Sequence, residues 1–114
     1  MQKAMQSADP TRDPRLAEIV RRLVAAYQPQ RLYLFGSVAR GEAGPDSDYD
    51  IVIVVRDEAP PELRDSRRAY VALRGTGIAA DVIVWTESAF DRRTHVVCSL
   101  PATVLRGGRL LHAA

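Results

Sequence analysis

Leu32-Tyr-Leu-Phe-Gly-Ser-Val-Ala-Arg-Gly-Glu-Ala-Gly-Pro-Asp-Ser-Asp-Tyr-Asp-Ile-Val-Ile-Val-Val55 is the stretch from which the fold of this chain is read. Four apolar residues end at Gly36-Ser37, a turn-rich polar segment follows, and Asp48-x-Asp50 leads into five aliphatic residues, Ile51 to Val55. The first run, closed by glycine, reads as a strand over 31–35. Gly44-Pro45-Asp46-Ser47 reads as a turn. The second run, from Asp48 to Val55, reads as a strand buried on both faces. Side chains two apart on a strand share a face, so Asp48 and Asp50 point the same way and Tyr49 points opposite. Two carboxylates held that close repel each other unless protonated or neutralised, and a divalent cation is the usual neutraliser.

Asp-x-Asp by itself is a weak signal, because most such pairs lie in surface turns. Here it opens a buried strand and follows a Gly-Ser turn. Gly36 lets backbone approach a ligand closely, and Ser37 begins a short helix whose free N–H groups and hydroxyl suit an anion. The plainer reading of the same two residues is a tight turn with a serine cap. Arg40, one turn further on, reaches the same anion or faces solvent.

If the turn and the carboxylates form one site, the end of the first strand lies beside the start of the second, which makes that pair antiparallel. Asp81 is the lone acidic residue of a third apolar run, Ile78 to Trp85. It meets Asp48 and Asp50 only if strands two and three run parallel. The intervening segment, with a helix expected over 61–74, is the right kind of crossover. The apolar run implies a buried strand, where an unpaired carboxylate is costly, and this favours Asp81 as a metal ligand.

The rest of the chain supplies helices for such a sheet. Residues 1–12 lack periodicity and read as a flexible tail, leaving 13–114 as a single domain. Asp13 before Pro14 caps a helix ending near Pro29, with Leu16, Ile19, Val20, Leu23, Val24 and Tyr27 as its apolar stripe. Glu18, Arg21 and Arg22 read as its solvated face. Leu63, Tyr70 and Leu73 share a face of the crossover helix. Thr86 caps a helix that carries Phe90 and His95 and reaches about Val97. Pro101 to Arg106 makes one more short helix and Arg109 to His112 an edge strand. The fold class is α/β (α+β), a small mixed sheet with flanking helices.

At 114 residues, the chain is near the usual size for one core and leaves no room for a separate substrate domain. Sixteen basic residues against 14 acidic leave a net charge of +2, weak support for a long nucleic-acid footprint. No apolar run approaches membrane-spanning length and the start does not resemble a signal peptide, so a cytoplasmic location is expected. Cys98 is the single cysteine and reads as a small core residue. His95 and His112 read as packing or solvent-facing residues.

Gly36-Ser37, ten intervening residues, Asp48-x-Asp50 and a later Asp81 resemble the signature of the polymerase-beta-like nucleotidyltransferase superfamily. The fuller pattern, Gly-Ser-x-Ala-Arg-Gly followed by Ser-Asp-x-Asp, resembles the minimal nucleotidyltransferases, or MNT proteins. The resemblance covers Leu32 to Trp85, and the closing Leu-Arg-Gly-Gly-Arg-Leu-Leu is also similar to the end of these proteins. It implies the polymerase-beta-like nucleotidyltransferase fold and transfer of AMP from ATP with loss of pyrophosphate. By the same resemblance Asp48, Asp50 and Asp81 bind two Mg²⁺ ions and serve catalysis, while Gly36, Ser37, Arg40 and Ser47 bind the nucleotide. Many minimal nucleotidyltransferases are antitoxins, so the implied acceptor is a tyrosine hydroxyl of a HEPN-type toxin encoded adjacently. Two alternatives stand beside it. The chain neutralises its partner by binding alone, or it modifies a small molecule or an RNA end.

Overall fold

The computed structural model describes residues 13–39, 41 and 48–114, with Ser37 described by its backbone only. The expected tail over 1–12 lies outside the described residues, as do Arg40 and Ser47. The first helix, α1 (Pro14–Tyr27), opens where Asp13 accepts a hydrogen bond from the Arg15 amide at 2.9 Å and proline occupies the first helical position. It closes at Gln28, whose left-handed backbone returns its N–H to the Val24 carbonyl. Strand β1 (Arg31–Phe35) runs into a single helical turn, α2 (Gly36–Ala39), and β2 (Tyr49–Val55) follows the segment outside the description.

The four-stranded sheet has the order β3-β2-β1-β4, where β3 is Ala80–Thr86 and β4 is Arg109–Ala113. β1 pairs antiparallel with β2 and β2 pairs parallel with β3, the two orientations the aspartate positions require. Gly108 makes the last turn possible, since a Cβ there would meet the Val104 carbonyl at 2.5 Å and the Leu34 carbonyl at 2.8 Å. Residues Ile51 to Val55 are at most 1% exposed, so β2 is buried on both faces, as its unbroken aliphatic run implies.

Alternation along the strands divides the core in two. Leu32, Leu34, Ile51, Ile53, Val55 and Val82 meet the stripe of α1 and the helix α3 (Arg67–Ala72). On the other face Tyr33, Val52 and Val54 meet Phe90 of α4 (Glu87–Arg93) and Val104 of α5 (Leu100–Gly107). Arg31 holds α4 down, with its guanidinium 3.0 Å from Asp91 and 5.3 Å from the Phe90 ring centroid.

The helix expected over 61–74 is two pieces, a 3-10 turn (Pro61–Leu63) and α3. The break has a side-chain cause: Arg64 donates to the Ala59 carbonyl at 2.7 Å, and the Tyr27 hydroxyl donates to the Asp65 carbonyl at 2.6 Å while accepting from the Ala69 amide at 2.9 Å. Tyr27 thereby caps α3 from another helix. Tyr70 is not on the buried face; it is 49% exposed, and Ala69, small enough for close approach, is buried instead.

Arg22 is more than a solvated residue, since it binds Glu18 and reaches the Ala72 carbonyl at 3.0 Å, tying α1 to α3. Thr86 contributes no side-chain cap, and the Ser88 amide is satisfied by Asp57 at 2.9 Å. α4 stops at Arg93, leaving His95 in a turn; Cys98, in the same connection, is exposed and not a core residue. His112 is half-buried on β4. No helix among the described residues is long and apolar enough to cross a membrane.

Candidate active site

Asp50 sits in the ladder at the centre of the sheet's open end. It is paired with Phe35 of β1 on one side and with Asp81 of β3 on the other. Side chains of directly paired residues stand about 5 Å apart at Cβ on one face. Asp50 and Asp81 are therefore neighbours on the face that also carries Val52, Ile83 and Trp85. Asp48 lies one residue before β2 and is exposed, while Tyr49 turns to the opposite face, where its hydroxyl donates to Asp13.

Gly36 follows Phe35 and completes the row. Its φ of +77° lies in the left-handed region, and a Cβ built there would overlap Asp50 Oδ2 and lie 3.2 Å from Asp50 Cγ. The backbone of the turn thus rests directly against the carboxylate, a contact that only glycine permits. α2 begins at Gly36, so the Gly-Ser turn and the aspartates share one end of the sheet.

Burial raises the Asp50 carboxyl above the usual carboxylate range, and the nearby charges of Asp81 and then Asp48 add to the rise. An all-oxygen set of mutually repelling carboxylates suits a hard divalent cation. Mg²⁺ needs only one or two of them, completing its shell with water and substrate phosphate. The residues present fit such an ion on those grounds. Among the described residues no three His, Cys, Asp or Glu side chains form a finished ligand cluster.

The described geometry brings Gly36, the first residue of α2, against Asp50 of β2, and Asp50 beside Asp81 of β3, with Asp48 two residues before Asp50 on the same chain. The Arg40 and Ser47 expectations lie outside the described residues. One argument for Asp81 is overturned: β3 is an edge strand, Asp81 is exposed, and burial costs do not single it out. What connects it to the others is register. The same edge position leaves Ile83, two residues along the same face, 41% exposed. The apolar composition of β3 hid this, because strand order decides which apolar run is central and which is an edge.

A family model described as a nucleotidyltransferase domain matches residues 14–104, which include the whole row. A crystal structure of a toxin–antitoxin with AMP-PNP matches at a TM-score of 0.60 and 22% identity, covering 86% of this chain and 73% of that one. A protein provisionally described as a nucleotidyltransferase, from Sulfolobus solfataricus, matches at a TM-score of 0.52 and 31% identity, covering 74% of this chain and 76% of that one. Among curated proteins, none matches. The family model spans the carboxylate row together with strands β1, β2 and β3, and the chain belongs to the nucleotidyltransferase domain family.

Proposed function

We propose that the chain is a Mg²⁺-dependent nucleotidyltransferase that moves AMP from ATP onto a hydroxyl of a protein toxin, and so acts as its antitoxin. The observation that carries this reading is the register of Asp50 with Asp81, with Gly36 pressed against Asp50 from the other side. The family match supports nucleotidyl transfer, and the AMP-PNP of the toxin–antitoxin neighbour supports ATP and a toxin partner. A tyrosine acceptor and a HEPN-type partner are finer parts of the proposal and rest on the sequence resemblance.

Asp48 and Asp50 would hold the metal ions, with Asp81 completing one site. Bound there, Mg²⁺ supplies positive charge at the phosphates and lowers the pKa of the attacking hydroxyl. Gly36 and the turn it opens hold the β- and γ-phosphates on the β1 side of Asp50, with Ser37, Arg40 and Ser47 as further nucleotide contacts. The acceptor oxygen then forms a bond to the α-phosphorus, the bond from that phosphorus to the bridging oxygen breaks, and pyrophosphate leaves. The hydroxyl proton passes to Asp81, whose exposed position lets it hand the proton on to solvent.

Incubating the chain with α-labelled ATP, Mg²⁺ and the protein encoded in the adjacent reading frame is expected to label that protein. An unlabelled partner, with both proteins folded, contradicts the reading. Neutralisation by binding alone predicts that Asp48→Asn and Asp50→Asn variants still protect cells from the partner. The transfer reading predicts that both fail.

A further inference from the structure

β3 is an edge strand of seven residues, Ala80–Thr86, and Asp81, at its active-site end, is its one charged residue. Natural edges are guarded by lysine, proline, a bulge or an inward-pointing charge, because unpaired backbone groups recruit other strands. From Val82 to Trp85 this edge is wholly apolar, and its pairing to β2 runs without a register shift. The Tyr49 amide donates to the Ala79 carbonyl at 3.2 Å, so odd-numbered residues of this segment face β2. The N–H and C=O groups of Ala80, Val82 and Val84 therefore point outward, and none has a partner among the described residues.

The edge is also continuous with the candidate active site. Asp81 and Ile83 lie on the face that carries Asp50, and nothing described lies beyond them in the sheet. The turn at Gly36 is on the β1 side of Asp50, so the side left for an acceptor is β3. The opposite edge, β4, is separated from Asp81 by β1 and β2 and begins with a charged residue, Arg109.

We propose that the open edge of β3 docks the protein acceptor, as a continuation of the transfer function argued above. An extended acceptor segment adds to the sheet as a fifth strand, setting a hydroxyl side chain opposite Asp81 and an apolar side chain opposite Ile83. A strand added at the usual spacing of about 4.8 Å brings its facing side chains to about 5 Å from those of β3 at Cβ. That is within reach of a hydroxyl that must approach the Asp81 carboxylate. Because side chains on one face recur every second residue, the acceptor carries an apolar residue two positions from its modified hydroxyl. Backbone pairing supplies affinity and the two facing positions supply selectivity, as in other strand-addition complexes.

The test uses the full chain and the protein of the adjacent reading frame. In their complex the amides of Ala80, Val82 and Val84 are expected to gain protection from hydrogen exchange. Ile83→Lys should raise the KM for the acceptor protein about tenfold relative to Ile83→Val, since a charge on an edge opposes strand addition. A complex that leaves these three amides unprotected overturns the proposal. So does their protection in the isolated chain as its concentration rises, which assigns the edge to a second copy, and so does the absence of any complex. If a complex forms without transfer of label, the transfer reading fails, and the edge proposal is still decided by the three amides.

Discussion

Replacing Gly36 with alanine puts a methyl group where the Asp50 carboxylate lies, at a backbone angle that costs an L-residue about 1–2 kcal/mol before the collision is counted. Gly36→Ala is expected to lower the melting temperature and abolish nucleotide transfer, which thermal unfolding and a labelled-ATP assay check. Asp50→Asn separates stability from function. Because burial and two neighbouring carboxylates raise the Asp50 pKa in the fold, its stabilising contribution is complete below the ordinary carboxylate range and is lost as pH rises through the raised value. Asp50→Asn should therefore melt no lower than the parent chain at neutral pH when divalent cations are withheld, and be inactive when Mg²⁺ and ATP are supplied. Its advantage should vanish on acidification, and a melting curve across pH 3–8 (approximate bounds) reads this directly. At this scale the part legible from the chain was the meeting of Asp50 with Asp81, which the strand register places side by side, whereas Asp48 lies one residue before β2, where alternation no longer fixes its side. The contact of Gly36 with Asp50 Oδ2 was not legible, since it depends on how closely two strands approach.

A buried hydroxyl on α1 joins the Arg22 contact in tying that helix to α3. Tyr27 is 2% exposed, donates to Asp65 and accepts from the Ala69 amide, which is itself buried. Tyr27→Phe removes the donor to the Asp65 carbonyl and one of two acceptors of the Ala69 amide, which keeps the Ser66 carbonyl at 3.0 Å, at a cost of about 0.5–1.5 kcal/mol, and each kcal/mol lowers the melting temperature by about 4–8 °C in a domain of this size. The same burial raises the Tyr27 pKa, while burial and the Asp13 hydrogen bond push Tyr49 up to about 12. Both contributions are intact below the ordinary tyrosine pKa near 10 and fade as pH rises through the folded values, so alkaline unfolding should set in between about pH 10 and 12. Titration followed by circular dichroism tests this. Helix α4 has its own borrowed cap, and Asp57→Ala should cost about 0.5–2 kcal/mol by freeing the Ser88 amide. The strands and α1 were readable because period and capping residues are local. The split of 61–74 and the early end of α4 were not, because Tyr27 and Asp57 act from elsewhere in the chain.

Across the whole molecule, antiparallel β1–β2 and parallel β2–β3 put the Gly-Ser turn, Asp50 and Asp81 in order along one end of the sheet. That topology followed from asking where three aspartates could meet, and the register of Asp50 with Asp81 bears it out. Strand order did not follow, which is why β3 was expected to be buried and Asp81 and Ile83 are exposed. The central claim is that the row binds nucleotide with metal, and it can be tested without the partner. A ligand that binds only the folded state stabilises it by about 2.7 kcal/mol at a hundred times its Kd. Thermal unfolding of the isolated chain is therefore measured with Mg²⁺ and a non-hydrolysable ATP analogue, for the parent and for Asp50→Asn. A rise in melting temperature that requires both Mg²⁺ and nucleotide is expected for the parent and is absent in Asp50→Asn. An equal rise in the two chains, or none in the parent at millimolar ligand, contradicts it.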